Sequence, residues 1–550
     1  MRNVEEAHSM YRSHNAGRWL YNNKAQLKAR YTPFNMGGLV RRVKMLVGSP
    51  VLSGTKLADT DNRAFLLTYE NGTQIVARIA TPISGPPVIT TTSEVATMDF
   101  LHRIGFPVPK VLAYSAITDS TEVESEFILM EKADGTSLDR VSSDTLDVDF
   151  ARSLADVLRP LVDVRFKCYG SFSEGVDTSP FCVGPITMHD FWEEERAAME
   201  DVYRGPWTSA LEYMTDTITC EQKRIERFAK PHMNDSFTCV LLFQGNEHDH
   251  IELLERYKTI LPHLTPKEPQ LLHGRLWHPN LHAGHVFASL RSGSLIAPAF
   301  LQLTPPKVYG PWFSADQDII THPAGFDAVE KDKQHEGGGS VAYEKEAGMC
   351  AAFDRRAFGD LMLEANVNEN GRDTDAVKWK LPELKTRQYL EHLSRRTWQM
   401  GLVPFRKFLV DAFLEFDVIA PGTPCPISFT PEEVGMRFVS INSLLRHLAR
   451  ADELCVEFRI LPHGYVRIPQ AGNQYRTEYF EKIRDEVERR RVEFVDEAGM
   501  EKEERREREL MWPFRGTMGD EPRECLPMRS VVPDIRELLG DGWAAVEGEK

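Results

Sequence analysis

The chain of 550 residues carries 82 acidic and 66 basic side chains, which gives a formal net charge of −16 at pH 7. Hydrophobic residues make up 42% of it and charged residues 27%, the balance of an ordinary globular protein. An acidic surface repels phosphate backbones, which argues against nucleic acid as a partner, and no apolar run is long enough to span a bilayer. Eight cysteines without a C-x-x-C pair indicate reduced thiols and an intracellular protein.

Residues 51–80 contain strand-like runs divided by turns. The clearest piece is AFLLTYENGTQIVARIA, where Asn71 and Gly72 separate two apolar runs. Both residues tolerate positive φ, so this dipeptide predicts a β-hairpin between two antiparallel strands.

A helix is predicted next, in the stretch TTTSEVATMDFLHRIG. Thr91 and Glu94 have the spacing of a capping box, in which each side chain accepts a hydrogen bond from the other residue's backbone amide. Val95, Met98 and Leu101 then recur at helical spacing. The runs FPVPKVLAYS and EFILMEKADG predict further strands.

Helical patterns dominate from about residue 147 onward. The acid-rich run DFWEEERAAMED, residues 190–201, is interpreted as an exposed helix face and not as a metal site. Residues 478–510 have the pattern of a long, charged, solvated helix. The glycine-rich stretch at 337–339 and the tail beyond Arg515 are expected to be poorly ordered. The chain therefore reads as a β-rich part followed by a larger α-rich part.

Several motifs spread over residues 15–515 resemble a single family. They are NAGRWLYNNKAQLKARYTPFN, FLLTYENGTQIVARIATPISGPP, TTSEVATMDFL, PVPKVLAYS, ILMEKADGTSL, LWHPNLHAGHVF, GPWF, CPISFTPEEV and MWPF. Together they resemble the fungal aminoglycoside-phosphotransferase-like family, which includes altered-inheritance-of-mitochondria proteins. Because the set covers nearly the whole chain, it is more specific than any one motif.

The resemblance implies an α+β, bilobal protein-kinase-like fold with a small β-rich N-lobe, a larger α-rich C-lobe and a charged helical extension at the C-terminal end. Periodicity alone does not lead to this fold. The expected divisions are an N-lobe at 15–135, a C-lobe at 136–475 with an inserted loop near 325–346, the charged extension at 476–515 and a disordered tail at 516–550.

The stretch LWHPNLHAGHVF resembles the catalytic loop of the family, which reads H-P-D-L-H-x-G-N in active members. There the aspartate takes the proton of the substrate hydroxyl, and the asparagine helps to hold Mg²⁺. Here Asn280 replaces the aspartate between the framework histidines His278 and His282, and His285 replaces the asparagine. An amide cannot act as a general base near pH 7, and an imidazole is a poor ligand for a hard cation.

A second alignment places LLHGRL over the bacterial H-G-D-L pattern and puts Arg275 at the aspartate, although it breaks the later G-x-V-F match. The next metal-binding aspartate of the family falls on Gln302 or Leu303. Between Leu271 and Pro311 the sequence has no Asp or Glu at all. Either alignment therefore leaves no local carboxylate to neutralise a divalent cation.

The three histidines of this loop allow another interpretation, since His278, His282 and His285 would form a zinc-binding face on a helix. Pro279 and Gly284 interrupt such a helix. We therefore expect framework histidines and no bound metal.

The segment that covers the phosphates also departs from the family. Relatives carry K-L-A-E-G-G-F-N, whereas residues 56–62 read KLADTDN, one residue shorter. Glycines let backbone amides approach a phosphate, and here Asp59 and Asp61 place acids where a polyanion would lie. At about 5 Å and an effective dielectric near 20, each such contact costs about 3 kcal/mol before screening. The same acids are also ordinary turn residues.

Two features of the nucleotide side are retained. Arg78 is at the position of the kinase strand lysine and Glu94 at that of its helix partner, so an Arg78–Glu94 ion pair is expected. The hinge-like run LMEKADG, with Met130, Glu131 and Lys132, offers backbone groups to an adenine.

These features predict a pseudoenzyme that binds or scaffolds without phosphoryl transfer, with a protein or a small molecule as its partner. No cofactor is required, and ATP without Mg²⁺ would be the nucleotide held. The alternative is an ATP-dependent phosphotransferase acting on a small hydroxylated molecule, with its base and metal ligands supplied from elsewhere in the chain.

For localisation, the resemblance implies mitochondria. The first residues combine Arg2, Arg12 and Arg18 with Glu5 and Glu6. Mitochondrial presequences are poor in acids, so this is a weak address, and the cytoplasm is the other expectation.

Overall fold

The computed structural model describes most of the N-terminal third of the chain and most of residues 382–495. The described residues are 11–21, 23–59, 62–118, 122–137, 164–174, 181–229, 245–265, 274–277, 287–288, 295–296, 307–309, 382–458, 464–468 and 473–495, together with a few isolated positions.

A five-stranded antiparallel sheet dominates the N-terminal part, with the order β2-β3-β4-β6-β5. Its strands are β2 (Val51–Asp59), β3 (Asn62–Tyr69), β4 (Gln74–Ala80), β5 (Val111–Ser115) and β6 (Phe127–Glu131). The predicted hairpin joins β3 to β4, with Gly72 at a φ of +84° in the turn. That prediction is confirmed, because the signal was local and the glycine occupies the left-handed region.

One face of this sheet is covered by the helix at Met36–Val47. Strand β1 (Gly17–Trp19) and helix α1 (Asn23–Ala29) precede α2 (Met36–Val47). Asn35 caps α2 by accepting a hydrogen bond from the Gly38 amide at 3.0 Å. Leu39 and Val43, one turn apart on α2, are fully buried on the sheet, and each stabilises the fold by roughly 1.5–3 kcal/mol.

Helix α3 (Ile89–Arg103) follows β4 and carries the predicted apolar positions. Val95, Met98 and Leu101 are all buried, as their spacing predicted. The N-terminal part thus has a central sheet and a helix that positions Glu94.

Short strands continue beyond the hinge region, where the sequence predicted mainly helices. They are β7 (Thr136–Ser137), β8 (Arg165–Phe166), β9 (Ser171–Glu174), β10 (Phe181–Gly184), β11 (Gly274–Trp277), β12 (Phe287–Ala288), β13 (Leu295–Ile296) and β14 (Lys307–Tyr309). They form three small sheets, β13-β12-β7, β14-β11-β8 and β16-β10-β9, the last with β16 (Ala544–Ala545). Strands of two to four residues give almost no periodic signal, which is why the sequence did not reveal them.

The C-terminal part is mainly helical around a second core. Its helices are α4 (His189–Trp192), α5 (Ala210–Phe228), α6 (Glu247–Leu264), α7 (Pro382–Ser394), α8 (Thr397–Met400), α9 (Leu402–Leu414), α10 (Phe416–Ile419), α11 (Pro431–Phe458) and α12 (Asn473–Val495). Large side chains such as Tyr213, Tyr257 and Phe405 are fully buried between them. Strand β15 (Tyr465–Arg467), between α11 and α12, pairs with β1. Within the described residues, no helix has both the length and the apolar character needed to cross a bilayer.

The interpretation of residues 190–201 as an exposed helix face is wrong. The segment forms α4 and a 3₁₀ turn at Glu194–Ala198, and Phe191 and Arg196 are fully buried. Asp190 forms ion pairs with Arg395, at 3.3 Å, and with Arg396. These partners lie 205 and 206 positions away along the chain, so the Asp190 charge is bound internally, whereas Glu200 and Asp201 at the end of the run are exposed.

The predicted α+β organisation is present, with an antiparallel sheet and its partner helix first and a mainly helical part after them. The charged helix is also present and has paired charges along its surface, such as Arg489 with Glu486 at 3.0 Å. The domain boundaries stay predictions. The inserted loop at 325–346 and nearly all of the tail at 516–550 lie outside the described residues.

Candidate functional site

The predicted ion pair between Arg78 and Glu94 is present. Strand β4 places Arg78 between Ala64 of β3 and Ile128 of β6, and α3 places Glu94 opposite it. Arg78 Nη2 donates to Glu94 Oε1 at 2.6 Å, and Nη1 contacts Oε2. The exposed fractions of the two side chains are 7% and 4%, so the pair is bidentate and shielded from water.

The prediction of a capping box between Thr91 and Glu94 is wrong. Helix α3 begins earlier, at Ile89, after a tight turn in which the Ile89 amide donates to the Pro87 carbonyl at 2.8 Å. Thr91 therefore lies inside the helix, and Glu94 bonds to Arg78 instead of to a backbone amide.

Glu126 caps α3 from a different part of the chain. Its Oε2 accepts hydrogen bonds from the Val88 amide, at 3.1 Å, and from the Thr91 hydroxyl, at 2.7 Å. Val88 has a φ of +67°, which is rare for a β-branched residue, and this carboxylate helps to hold it there. Sequence reasoning missed Glu126, because nothing near it in sequence indicates a helix 35 residues away.

The segment that would cover phosphates is a tight hairpin and not an open loop. Lys56 and Asp59 belong to β2, Asn62 begins β3, and only residues 60–61 separate the two strands. The register pairs Asp59 with Arg63. Asn62 is buried, and its Oδ1 accepts a hydrogen bond from Ser84 Oγ at 2.9 Å. The predicted shortening is thus accompanied by β pairing almost to the tip.

The hinge residues lie at the end of β6. Met130 is buried, whereas Glu131 and Lys132 are exposed. The Glu131 amide already donates to the Lys110 carbonyl at 3.0 Å. Of the predicted nucleotide contacts, Glu131 therefore has its amide occupied by the protein.

We call residues 278–285, which resemble the family's catalytic loop with changed residues, the altered loop. The strands on both sides of it show where it attaches. Strand β11 ends directly before His278, and β12 begins two residues after His285. Strand β12 pairs with β7, which follows the hinge, through Phe287 with Ser137 and Ala288 with Thr136. Both ends of the loop are therefore anchored in small sheets, one of which starts at the hinge.

The predicted catalytic and metal positions themselves lie outside the described residues; they are His278, Asn280, His282, His285 and Gln302. The alternative alignment can be compared with the structure, because Arg275 belongs to β11 and pairs with both Tyr309 and Arg165. Arg275 is thus in the central strand of a small sheet, and the choice between the two alignments stays a prediction. Within the described part of the chain, no group of three or more His, Cys, Asp or Glu side chains is placed to hold a metal ion.

No family model matches the chain. It is 29% identical over 427 residues to the subtelomeric hrmA-associated cluster protein of Aspergillus fumigatus, covering 68% of this chain and 81% of that protein. It is 26% identical over 260 residues to the altered inheritance of mitochondria protein 9, mitochondrial, of Yarrowia lipolytica, covering 39% of this chain and 44% of that protein. The predicted resemblance to these fungal proteins is confirmed.

Solved structures with similar chains include two bacterial proteins. A putative fructosamine-3-kinase from Thermobifida fusca has a TM-score of 0.36 and 13% identity, covering 68% of this chain and 97% of that one. A putative aminoglycoside phosphotransferase from Ralstonia eutropha has a TM-score of 0.32 and 14% identity, covering 68% of this chain and 99% of that one.

Proposed function

We propose, from the premise that this chain is a relative of the fungal altered-inheritance-of-mitochondria proteins, that it is a kinase-fold pseudoenzyme. It binds or scaffolds without transferring a phosphoryl group. The observation that carries the proposal is the absence of any Asp or Glu from Leu271 to Pro311, the stretch that contains the altered loop and the segment after it. Phosphoryl transfer on this fold needs acids there, to orient the attacking hydroxyl and to hold the metal.

The buried carboxylates of the described residues do not compensate for this loss. There are four of them, and each is already bound by an arginine or by a helix N-terminus; they are Glu94, Glu126, Glu221 and Glu391. Recruiting one of them for catalysis would leave its present partner without an acceptor in a buried site, which costs several kcal/mol.

Nucleotide binding without a metal is compatible with the groups that remain. Arg78 supplies a fixed guanidinium on the face of the sheet that meets α3, and Glu94 orients it. Because the Glu131 amide is already bonded, the backbone of Lys132 and of the residues after it is the part of the hinge that would contact an adenine. The protein would then bind the nucleotide through hinge contacts to its base and through the Arg78 guanidinium.

Thermal-shift titration of the full chain with ATP tests this proposal. We expect the melting temperature to rise equally in excess Mg²⁺ and in EDTA. ATP at a concentration of 100 times its Kd would raise the free energy of unfolding by about 2.7 kcal/mol. The variant Arg78→Lys should reduce the shift, and Arg41→Lys, at an exposed ion pair with Glu122, is the matched control. A rise that requires Mg²⁺ would contradict the proposal.

A working phosphotransferase is the second candidate, because the buried Arg78–Glu94 pair is an assembled ion pair of the kind that a kinase site uses. Incubation with γ-labelled ATP and a pool of small hydroxylated metabolites distinguishes the two. Label on a metabolite that Asn280→Ala abolishes would establish the enzyme and exclude the pseudoenzyme.

We also propose a mitochondrial location, on the strength of relatives whose names carry that word. Fractionation of cells that express the tagged full chain tests it. Recovery of the protein only in the cytosol would contradict this proposal without affecting the one on phosphoryl transfer.

A further inference from the structure

The motif NAGRWLYNN has no role in the candidate site, yet it overlaps a segment that is bonded both to the N-terminal sheet and to the helical part. We call residues 11–21 the strap. At its start the strap is attached to the sheet. The Tyr11 ring meets Phe65 of β3 edge-on at 5.7 Å, and Arg12 donates to the Phe34 carbonyl at 2.8 Å. The Arg12 carbonyl in turn accepts the Thr32 amide at 3.1 Å.

The middle of the strap contacts the strand that leads into the hairpin over the phosphate position. Lys56 of β2 donates from Nζ to the Ser13 carbonyl at 2.8 Å. The next strap residue, His14, is buried. Its Nε2 atom lies 3.0 Å from the hydroxyl oxygen of Tyr465, within hydrogen-bonding distance. Two consecutive residues thus contact the N-terminal sheet and the strand between α11 and α12.

The end of the strap belongs to the helical part. Strand β1 pairs with β15 over three residues, from Gly17 with Arg467 to Trp19 with Tyr465. The Leu20 amide donates to the Gly464 carbonyl at 2.9 Å. Leu20 and Tyr21 are buried in the same core as the C-terminal helices.

The packing at this end is close enough to specify glycine. A Cβ on Gly17 would lie 2.3 Å from Tyr465 Cζ and 2.4 Å from the Val466 carbonyl oxygen. A Cβ on Gly464 would lie 2.6 Å from Tyr21 Cε1. The backbones of strap and β15 therefore meet at a distance that only residues without a side chain allow.

We propose that the strap is a conformational device that ties the β2–β3 hairpin to the C-terminal helical core and thereby fixes the separation of the two parts. Closure of a sheet over a cleft moves the covering hairpin relative to the helices. Here one continuous segment of eleven residues is bonded to both sides, so the hairpin cannot move without breaking the contacts at Ser13, His14 or Gly17. This inference does not depend on nucleotide binding.

Hydrogen–deuterium exchange of the full chain without ligand tests it. Gly17→Ala should accelerate exchange at 464–468 and, together with it, at 51–59, each roughly tenfold, because both segments lose the same support. Gly435→Ala is the matched control, since nothing lies within 4 Å of a Cβ at that exposed helical position. It should leave both segments unchanged.

If Gly17→Ala does not fold, Tyr465→Phe provides a second test, because it removes only the hydroxyl that contacts His14. It should accelerate the same two segments to a smaller degree. Faster exchange at 464–468 with an unchanged hairpin would overturn the proposal, and so would unchanged exchange in both segments.

Discussion

Glu94 Oε1 accepts a hydrogen bond of 2.6 Å from Arg78 Nη2, and the second carboxylate oxygen contacts the other terminal nitrogen. Neither charge reaches solvent, so each depends on the other for compensation. The pair therefore fixes α3 against β4. This is the pairing that the family resemblance predicted for the strand residue and its helix partner.

Removing one partner of this pair should be strongly destabilising. Glu94→Gln leaves the Arg78 charge buried without its anion, and we expect a loss of about 3–5 kcal/mol in the free energy of unfolding. Urea denaturation measures it. Glu122→Gln is the control, because its pair with Arg41 is exposed and should cost at most about 1 kcal/mol. Equal losses in the two variants would contradict the buried pair.

Acid should weaken the strap. The pKa of His14 is lowered from 6.5 to about 3, mainly by burial and in addition by four nearby cations: Arg63 on β3, Arg30 after α1, Lys56 on β2 and Arg18 on β1. The folded protein keeps this imidazole neutral, whereas the unfolded chain takes up a proton below pH 6.5. The stability that this difference contributes is complete above pH 6.5 and is lost as the pH falls toward 3.

Denaturation at pH 7 and pH 5 measures that loss, which should be on the order of 2 kcal/mol. His14→Gln should show a flatter dependence on pH over this interval. Tyr465→Phe retains the histidine and should retain the dependence. A wild-type protein as stable at pH 5 as at pH 7 would refute the lowered pKa.

Introducing the family's catalytic and metal-binding residues at 280, 285 and 302 should make the binding of ATP depend on magnesium. The variant with Asn280→Asp, His285→Asn and Gln302→Asp carries the groups that active relatives use, and we expect its thermal shift with ATP to become dependent on Mg²⁺. Replacing Gln302→Asp by Leu303→Asp tests the other alignment. If neither triple variant responds to Mg²⁺, the loop is not aligned as the motif predicts.

The C-terminal end of α3 should depend on an aromatic cluster. Phe172 of β9 is buried 4.9 Å from the ring of Phe100 and 5.2 Å from that of Phe166. Phe172→Ala should cost about 3–5 kcal/mol in the free energy of unfolding and accelerate hydrogen exchange in α3. Ile117→Ala, at an exposed position, should change the free energy of unfolding by less than about 0.5 kcal/mol. Unchanged exchange in α3 would show that the helix does not rely on this cluster.

Local signals predicted local structure well. The Asn71-Gly72 turn and the buried positions of α3 follow from residues within one turn of each other, and both are present. The Arg78–Glu94 pair was reached through the family resemblance, since its partners are 16 positions apart on different elements.

Contacts between distant segments could not be predicted. The cap of α3 comes from Glu126, so the capping-box spacing of Thr91 and Glu94 was misleading. The His14–Tyr465 contact joins residues 451 positions apart, and no pattern within either segment indicates the other. Charge composition was equally uninformative at Asp190, whose cations, Arg395 and Arg396, lie between α7 and α8.

Glu126 stands directly before β6, the strand that runs to the hinge, and its carboxylate is bonded to the first turn of the helix that bears Glu94. The start of β6 and the start of α3 are consequently held together by the Glu126 carboxylate. A displacement at the start of the hinge strand therefore reaches the first turn of the helix through the Glu126 side chain.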